Sequence, residues 1–151
     1  MGARLIIVSN RVAVPDSPGT PFAGGMAMAA KAALKNRKGM WVGWSGNAVD
    51  EPVDAPQAVD LNKLTYVLID LTKSDIQEYY KGLANSVLWP ILHYRVDLQE
   101  YSRVDASGYV RVNRMFADRL SALLNRDDII WVHDYHLNAS GTGVAPARSP
   151  Q

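Results

Sequence analysis

The residues best suited to chemistry lie in the segment Asp127-Asp128-Ile129-Ile130-Trp131-Val132-His133-Asp134-Tyr135-His136-Leu137. A short apolar run that empties into His-Asp-Tyr-His reads as a buried strand delivering ionisable groups to its carboxyl end, where open α/β sheets place their ligands. His133, Asp134 and His136 could ligate a metal, since imidazole and carboxylate are zinc donors. That reading is disfavoured, because a zinc site needs three protein ligands converging in the fold and the one other histidine is His93. Asp134 as a hydrogen-bond acceptor for a ligand hydroxyl demands less geometry.

Other groups could join it. Arg11 follows directly on a first strand in Ser9-Asn10-Arg11, which places a planar donor fork for phosphate or carboxylate on the sheet rim, although a lone loop arginine is more often merely solvated. Gly24 and Gly25 precede an Ala-rich stretch; they are either a plain turn or a gap where an anionic group reaches free N–H donors at a helix start. They form neither Gly-x-Gly-x-x-Gly nor a Walker A loop. Four tryptophans and the pair Tyr79-Tyr80 offer rings for packing on a sugar, though most aromatics are core. Trp131 reads as structural, whereas Trp89 precedes Pro90, which predicts an extended or turn conformation that presents the ring to a cleft. Gly43-Trp44-Ser45-Gly46-Asn47 imitates a nucleophile elbow with Asn47 where the second glycine belongs, and an ordinary serine loop is the better reading.

The elements that must position these groups alternate. Residues 4–9, 40–44, 64–69 and 129–132 read as strands; the first is continuously apolar, as expected of a strand covered on both faces in a parallel sheet. A helix is expected over 26–34, a second from a cap at Thr72 or Ser74 to about Leu83, and a third opening at Gly108 and running to about Leu124. The span with Pro52 and Pro56 reads as a polar loop. The order predicts a three-layer α/β domain with a mostly parallel sheet.

Composition narrows the partners. The chain has 151 residues, 48% hydrophobic and 21% charged, with formal net charge +1, so nothing in bulk charge suggests nucleic acid or an anionic membrane. No cysteine is present, which removes disulfides, thiolate nucleophiles and Cys-ligated metal. The apolar run at Leu5 to Val8 is too short for a signal-peptide core or membrane span, and the expected location is the cytoplasm. Residues 138–151 have no apolar period and are rich in Gly, Pro and small residues, so disorder is expected there.

Taken together, Val8-Ser9-Asn10-Arg11, Gly24-Gly25, Trp41-Val42-Gly43-Trp44-Ser45-Gly46, Tyr79-Tyr80, Val87-Leu88-Trp89-Pro90 with His93-Tyr94-Arg95, and Trp131 through Leu137 resemble the trehalose-6-phosphate synthase family. Each motif alone is weak, but their order and spacing match along residues 4–137. The family is a retaining GT-B glycosyltransferase of two Rossmann-like domains, moving glucose from a nucleotide-glucose, usually UDP-glucose, to glucose 6-phosphate without a metal or other cofactor. The resemblance implies that Arg11 holds the acceptor phosphate with the Tyr80 hydroxyl, that Trp89 lines the acceptor sugar pocket, and that Asp134 binds sugar hydroxyls at the reacting centre. Gly24 and Gly25 would let the backbone approach the donor. It covers only an amino-terminal, acceptor-side portion over 1–137; the donor-binding domain is missing, and 138–151 read as a tail foreign to the family. A homo-oligomer is compatible with the full-length enzyme. Two rivals remain: a non-catalytic module that binds glucose 6-phosphate, and a metal-dependent hydrolase built on His133, Asp134 and His136.

Overall fold

A computed structural model describes residues 3–12, 14–15, 25–35, 37–61 and 63–139, with Lys31 described by its backbone alone. Five strands, β1 (Leu5–Arg11), β2 (Gly39–Val49), β3 (Gln57–Leu61), β4 (Leu64–Thr72) and β5 (Ile129–Val132), form one sheet in the order β3-β4-β2-β1-β5. β1, β2, β4 and β5 are mutually parallel where they pair, and β3 runs antiparallel to β4.

Period-2 alternation sorts the contiguous apolar runs onto two faces. Ile6, Val8, Met40, Val42, Val67 and Ile69 point to one side and pack with Tyr79, Val112, Phe116 and Leu120. Ile7, Trp41 and Tyr66 point to the other, against Ala27, Ala30 and Leu34 of α1 (Gly25–Leu34). Both faces of β1, β2 and β4 are covered, so the three-layer α/β expectation holds, whereas β5, expected to be buried, is an edge strand with no fully buried residue. The amino ends of β1 and β5 are tied by Arg4, whose Nε and Nη2 donate to the two carboxylate oxygens of Asp128 at 3.0 and 2.5 Å. That fork holds the Asp128 carboxyl below its ordinary range.

Several boundaries differ from the sequence reading. The stretch read as a loop contains β3, whose Val59 alone leans into the core; an edge strand exposed at four of five positions leaves almost no hydrophobic signal. The second helix does start at a Thr72 cap, whose hydroxyl accepts from the Asp75 N–H at 3.1 Å, but it does not stop near Leu83. It runs on as α2 (Lys73–Asp75), a π-helical segment (Ile76–Leu88) and α3 (Trp89–Leu92). Trp89 is therefore helical, with φ −58° and ψ −50°, rather than extended. The wide π turn explains it: the Trp89 N–H reaches back to the Ala84 carbonyl, and the looser coil relieves the clash that a proline ring makes with an α-helical turn. α4 (Arg103–Ser121) starts at a Ser102 cap, well before Gly108. Gly108 is a crossing point instead, since a Cβ there would run into the Glu78 side chain, as one on Gly82 would run into Asp105.

Candidate functional site

The carboxyl rim of the sheet is built by the last residues of β1, the bulged end of β2, the π-helical segment and the turn after β5. Ser9 is buried and accepts from Trp41 Nε1 at 2.8 Å while its hydroxyl donates to the Arg11 carbonyl at 2.8 Å. Asn10 Oδ1 accepts from the Tyr79 hydroxyl at 2.8 Å. These bonds fix the backbone from which Arg11 projects. Its guanidinium lies over the Trp44 ring, with Cζ 5.4 Å from the centroid. The register of β1 on β2 shifts between Val8 and Arg11, which sets Arg11 opposite Trp44. Gly46, at φ +97°, completes the seat, because any Cβ there would strike the guanidinium.

From Trp44 the rings continue in contact. Tyr80 packs on Trp44 at 6.1 Å between centroids and stacks on His136 at 5.6 Å and 27°. His136 stacks in turn on Tyr135 at 4.2 Å and 24°. Asp134 closes the row: its Oδ1 accepts from the Tyr135 N–H at 2.8 Å, and its Oδ2 lies 3.8 Å from His136 Nδ1. Arg11, Tyr80 and Asp134, three of the groups singled out in the sequence, thus belong to one continuous array.

α4 supports this turn from behind. Tyr109 donates to the Tyr135 carbonyl at 2.6 Å, and Asn113 Nδ2 donates to the His136 carbonyl at 3.1 Å. Asp134 has φ +68°, uncommon for a non-glycine residue and a mark of backbone strain. Burial raises the Tyr135 phenol to about 12, with the nearby Asp134 charge adding to it, so the phenol stays neutral. Burial also raises Tyr79. It lowers His136, against an opposing pull from Asp134, which favours a neutral imidazole.

Other predicted residues sit apart. Trp89 is 43% exposed on α3 and stacks on His93 at 4.2 Å, making no recorded ring contact or hydrogen bond with the array among the described residues. Gly25 opens α1, and no atom of the described residues lies within 4 Å of where its Cβ would be. Gly24 lies outside the described residues, as do residues 140–151 of the expected disordered tail. Ser45 is on β2 and donates to the Asp70 carboxylate, which leaves no nucleophile elbow. The histidines go to different neighbours, with His133 edge-on to Trp131 at 5.9 Å, and no group of three or more metal-ligating side chains exists among the described residues. A separate concavity of about 1010 Å³ runs along α4 between Arg103, Arg114 and Arg119; none of the rim residues lines it.

Sequence reasoning missed the roles of Trp44, Gly46 and Tyr135. The Gly-Trp-Ser-Gly string was visible, but only the fold reveals that its tryptophan and second glycine form the seat of an arginine more than thirty residues away.

What this rim can do is hold an anion on a fixed guanidinium, donate from a phenol, and accept hydroxyl protons on a carboxylate, all at one sheet edge. Residues 5–142 match the model of glycosyltransferase family 20, and the chain belongs to that family. A trehalose-6-phosphate synthase of Sinorhizobium fredii is 56% identical over 137 residues, 89% of this chain and 30% of that protein. The crystal structure of an alpha,alpha-trehalose-phosphate synthase (UDP-forming) from Burkholderia vietnamiensis matches with a TM-score of 0.88 and 45% identity, over 95% of this chain and 31% of that one. A second, from Burkholderia xenovorans in complex with glucose-6-phosphate, matches with a TM-score of 0.83 and 46% identity, over 95% and 32%. The fold is thus a portion of the GT-B architecture, and the chain spans about 30% of the length of the relatives it matches. No helix among the described residues is long and apolar enough to cross a membrane.

Proposed function

We propose that this chain forms the acceptor side of a retaining hexosyltransferase that moves glucose from UDP-glucose to glucose 6-phosphate, giving trehalose 6-phosphate and UDP. The observation that carries the reading is the continuous array Arg11, Trp44, Tyr80, His136, Asp134 on the carboxyl rim. Arg11 binds the acceptor phosphate with help from the Tyr80 hydroxyl, and Asp134 takes sugar hydroxyls beside the reacting carbon. Trp89, exposed one helix further on, walls the acceptor sugar. Gly24 and Gly25 admit the donor to the backbone. Retention proceeds on one face of the sugar through an oxocarbenium-like state, without the paired carboxylates of most glycosidases. The rest of the relatives' length would supply the cations that clamp the diphosphate, and the whole enzyme would work in the cytoplasm.

The coverage of about 30% favours a narrower statement for the chain by itself: binding of glucose 6-phosphate without turnover. Calorimetry with glucose 6-phosphate and with glucose tests the reading. Heat of binding for the phosphorylated sugar and none for glucose is expected, and equal responses would sink it.

A further inference from the structure

His136 is a misfit as a plain core residue. It is 8% exposed, sandwiched between Tyr80 and Tyr135, and neither ring nitrogen has a hydrogen-bond partner among the described residues. A phenyl ring would fill the same slot and leave no buried polar atom unsatisfied, so the imidazole is retained at an energetic disadvantage in this state. The nearest group of opposite character is Asp134. One of its oxygens is already taken by the Tyr135 N–H, and the other stands 3.8 Å from His136 Nδ1, just beyond bonding distance. The Asp134 side chain is 44% exposed while that of His136 is 10% exposed, so a ligand meets the carboxylate from the front and the imidazole backs it from behind.

We propose that His136 is a positioning residue for Asp134, with its neutral ring protonated on Nδ1 so that it donates to Asp134 Oδ2 when a ligand hydroxyl seats against the carboxylate. The stack fixes the ring plane, and the strained φ of Asp134 fixes the carboxylate's origin, so a small rotation about the Asp134 side chain closes the gap. The titratable groups around the ring are His133, Asp134 and Tyr135 on its own turn and Tyr79 and Tyr80 on the π-helical segment; Asp134 is the one carboxylate among them. A neutral imidazole has one donor and one acceptor nitrogen, and the partner selects which. The consequence for sugar binding rests on the acceptor-site reading above; the tautomer does not.

The test has two arms. Multiple-bond proton–nitrogen NMR on the labelled 151-residue chain, with His136→Phe identifying the signal, reads the tautomer directly. A protonated Nδ1 and a bare Nε2 are expected, and a protonated Nε2 or an imidazolium at neutral pH overturns the proposal. In the second arm, glucose 6-phosphate is titrated into the wild type, His136→Phe and His136→Asn. Phe keeps the stacked ring and loses the donor; Asn loses the ring and places an amide N–H near the Nδ1 position. Binding weakened about tenfold by Phe and partly restored by Asn is expected for loss and return of one hydrogen bond to a charged group. A folded Phe variant that binds as well as wild type, or an Asn variant no better than Phe, overturns it. Should the wild type not bind glucose 6-phosphate, the acceptor reading fails, while the NMR arm still decides the role of His136.

Discussion

Arg11 is exposed, and its guanidinium lies over the Trp44 face beside Gly46, where any Cβ would meet it. Removing the fork in Arg11→Ala should weaken glucose 6-phosphate binding by about 2–4 kcal/mol, the usual loss for a truncated charge-assisted contact, and leave any weak glucose binding unchanged. Gly46→Ala should lose affinity in the same direction with Arg11 intact, since the new methyl displaces the guanidinium and the φ of +97° disfavours it. Calorimetry of both variants checks the pair; a Gly46→Ala protein with full affinity would show that the seat is irrelevant. His136 adds a pH signature. Its pKa is lowered in the fold, so between the folded value and the unfolded one near 6.5 the unfolded chain binds more protons, and the native stability falls as pH drops through that window. Thermal melts from pH 7.5 to 5 should show that decline in the wild type, and His136→Phe should flatten it. The acid loss from Asp128, whose pKa is also lowered but from a carboxylate value, comes at lower pH and is separable. The sequence placed Arg11 and Asp134 on one rim because strand ends are legible from apolar runs, whereas Tyr80, on a helix, joined them only through the family resemblance. It could not place Gly46 against Arg11, since that contact depends on a bulge in the pairing of β1 with β2.

Among the elements, the π-helical segment and α4 define how closely the layer behind the site packs. Gly82 and Gly108 face Asp105 and Glu78 across that crossing, and Arg111 ties the same region by donating to Asp75 at 2.7 Å and to Glu78 at 2.9 Å. Alanine at position 108 would normally help an exposed helix by about 1 kcal/mol. Here its methyl meets the Glu78 Cβ, close to the backbone and unable to swing away, so overpacking wins and Gly108→Ala should destabilise by about 1–3 kcal/mol in urea denaturation. An unchanged or raised midpoint would mean that the two helices separate freely. Legibility follows the strength of local signals. Buried parallel strands and the Thr72 cap announce themselves, whereas β3 is an exposed edge and Pro90 looks like a helix end until the π register accommodates it. Gly108 misled for a related reason: a glycine inside a helix can mark a packing contact as readily as a boundary, and Ser102 was the better start signal.

At the scale of the whole molecule, the rim supplies an acceptor site but little to stabilise a departing diphosphate. Among the described rim residues Arg11 is the one cation in the array, and the acceptor phosphate claims it. A leaving UDP develops negative charge that needs positioned cations or amides facing the acceptor, and the orientation of two bound substrates can be worth roughly 7–11 kcal/mol of barrier. Gly25 offers backbone N–H and no charge. This chain alone should therefore release no UDP from UDP-glucose above background in the presence of glucose 6-phosphate, even where calorimetry shows the acceptor bound. Its edge strand β5 is also short of cover, with Ile129 55% and Ile130 37% exposed, and Leu92, Val96 and Tyr101 stand out of the surface nearby in sequence to α3. An apolar edge that no described strand pairs invites self-association, so light scattering should show aggregation rising with concentration. A coupled assay for UDP, run on the monomeric fraction, decides the catalytic question. Sustained turnover there would mean that the described rim holds both substrates and stabilises the leaving diphosphate by itself, which would require a cation other than Arg11 to reach the donor.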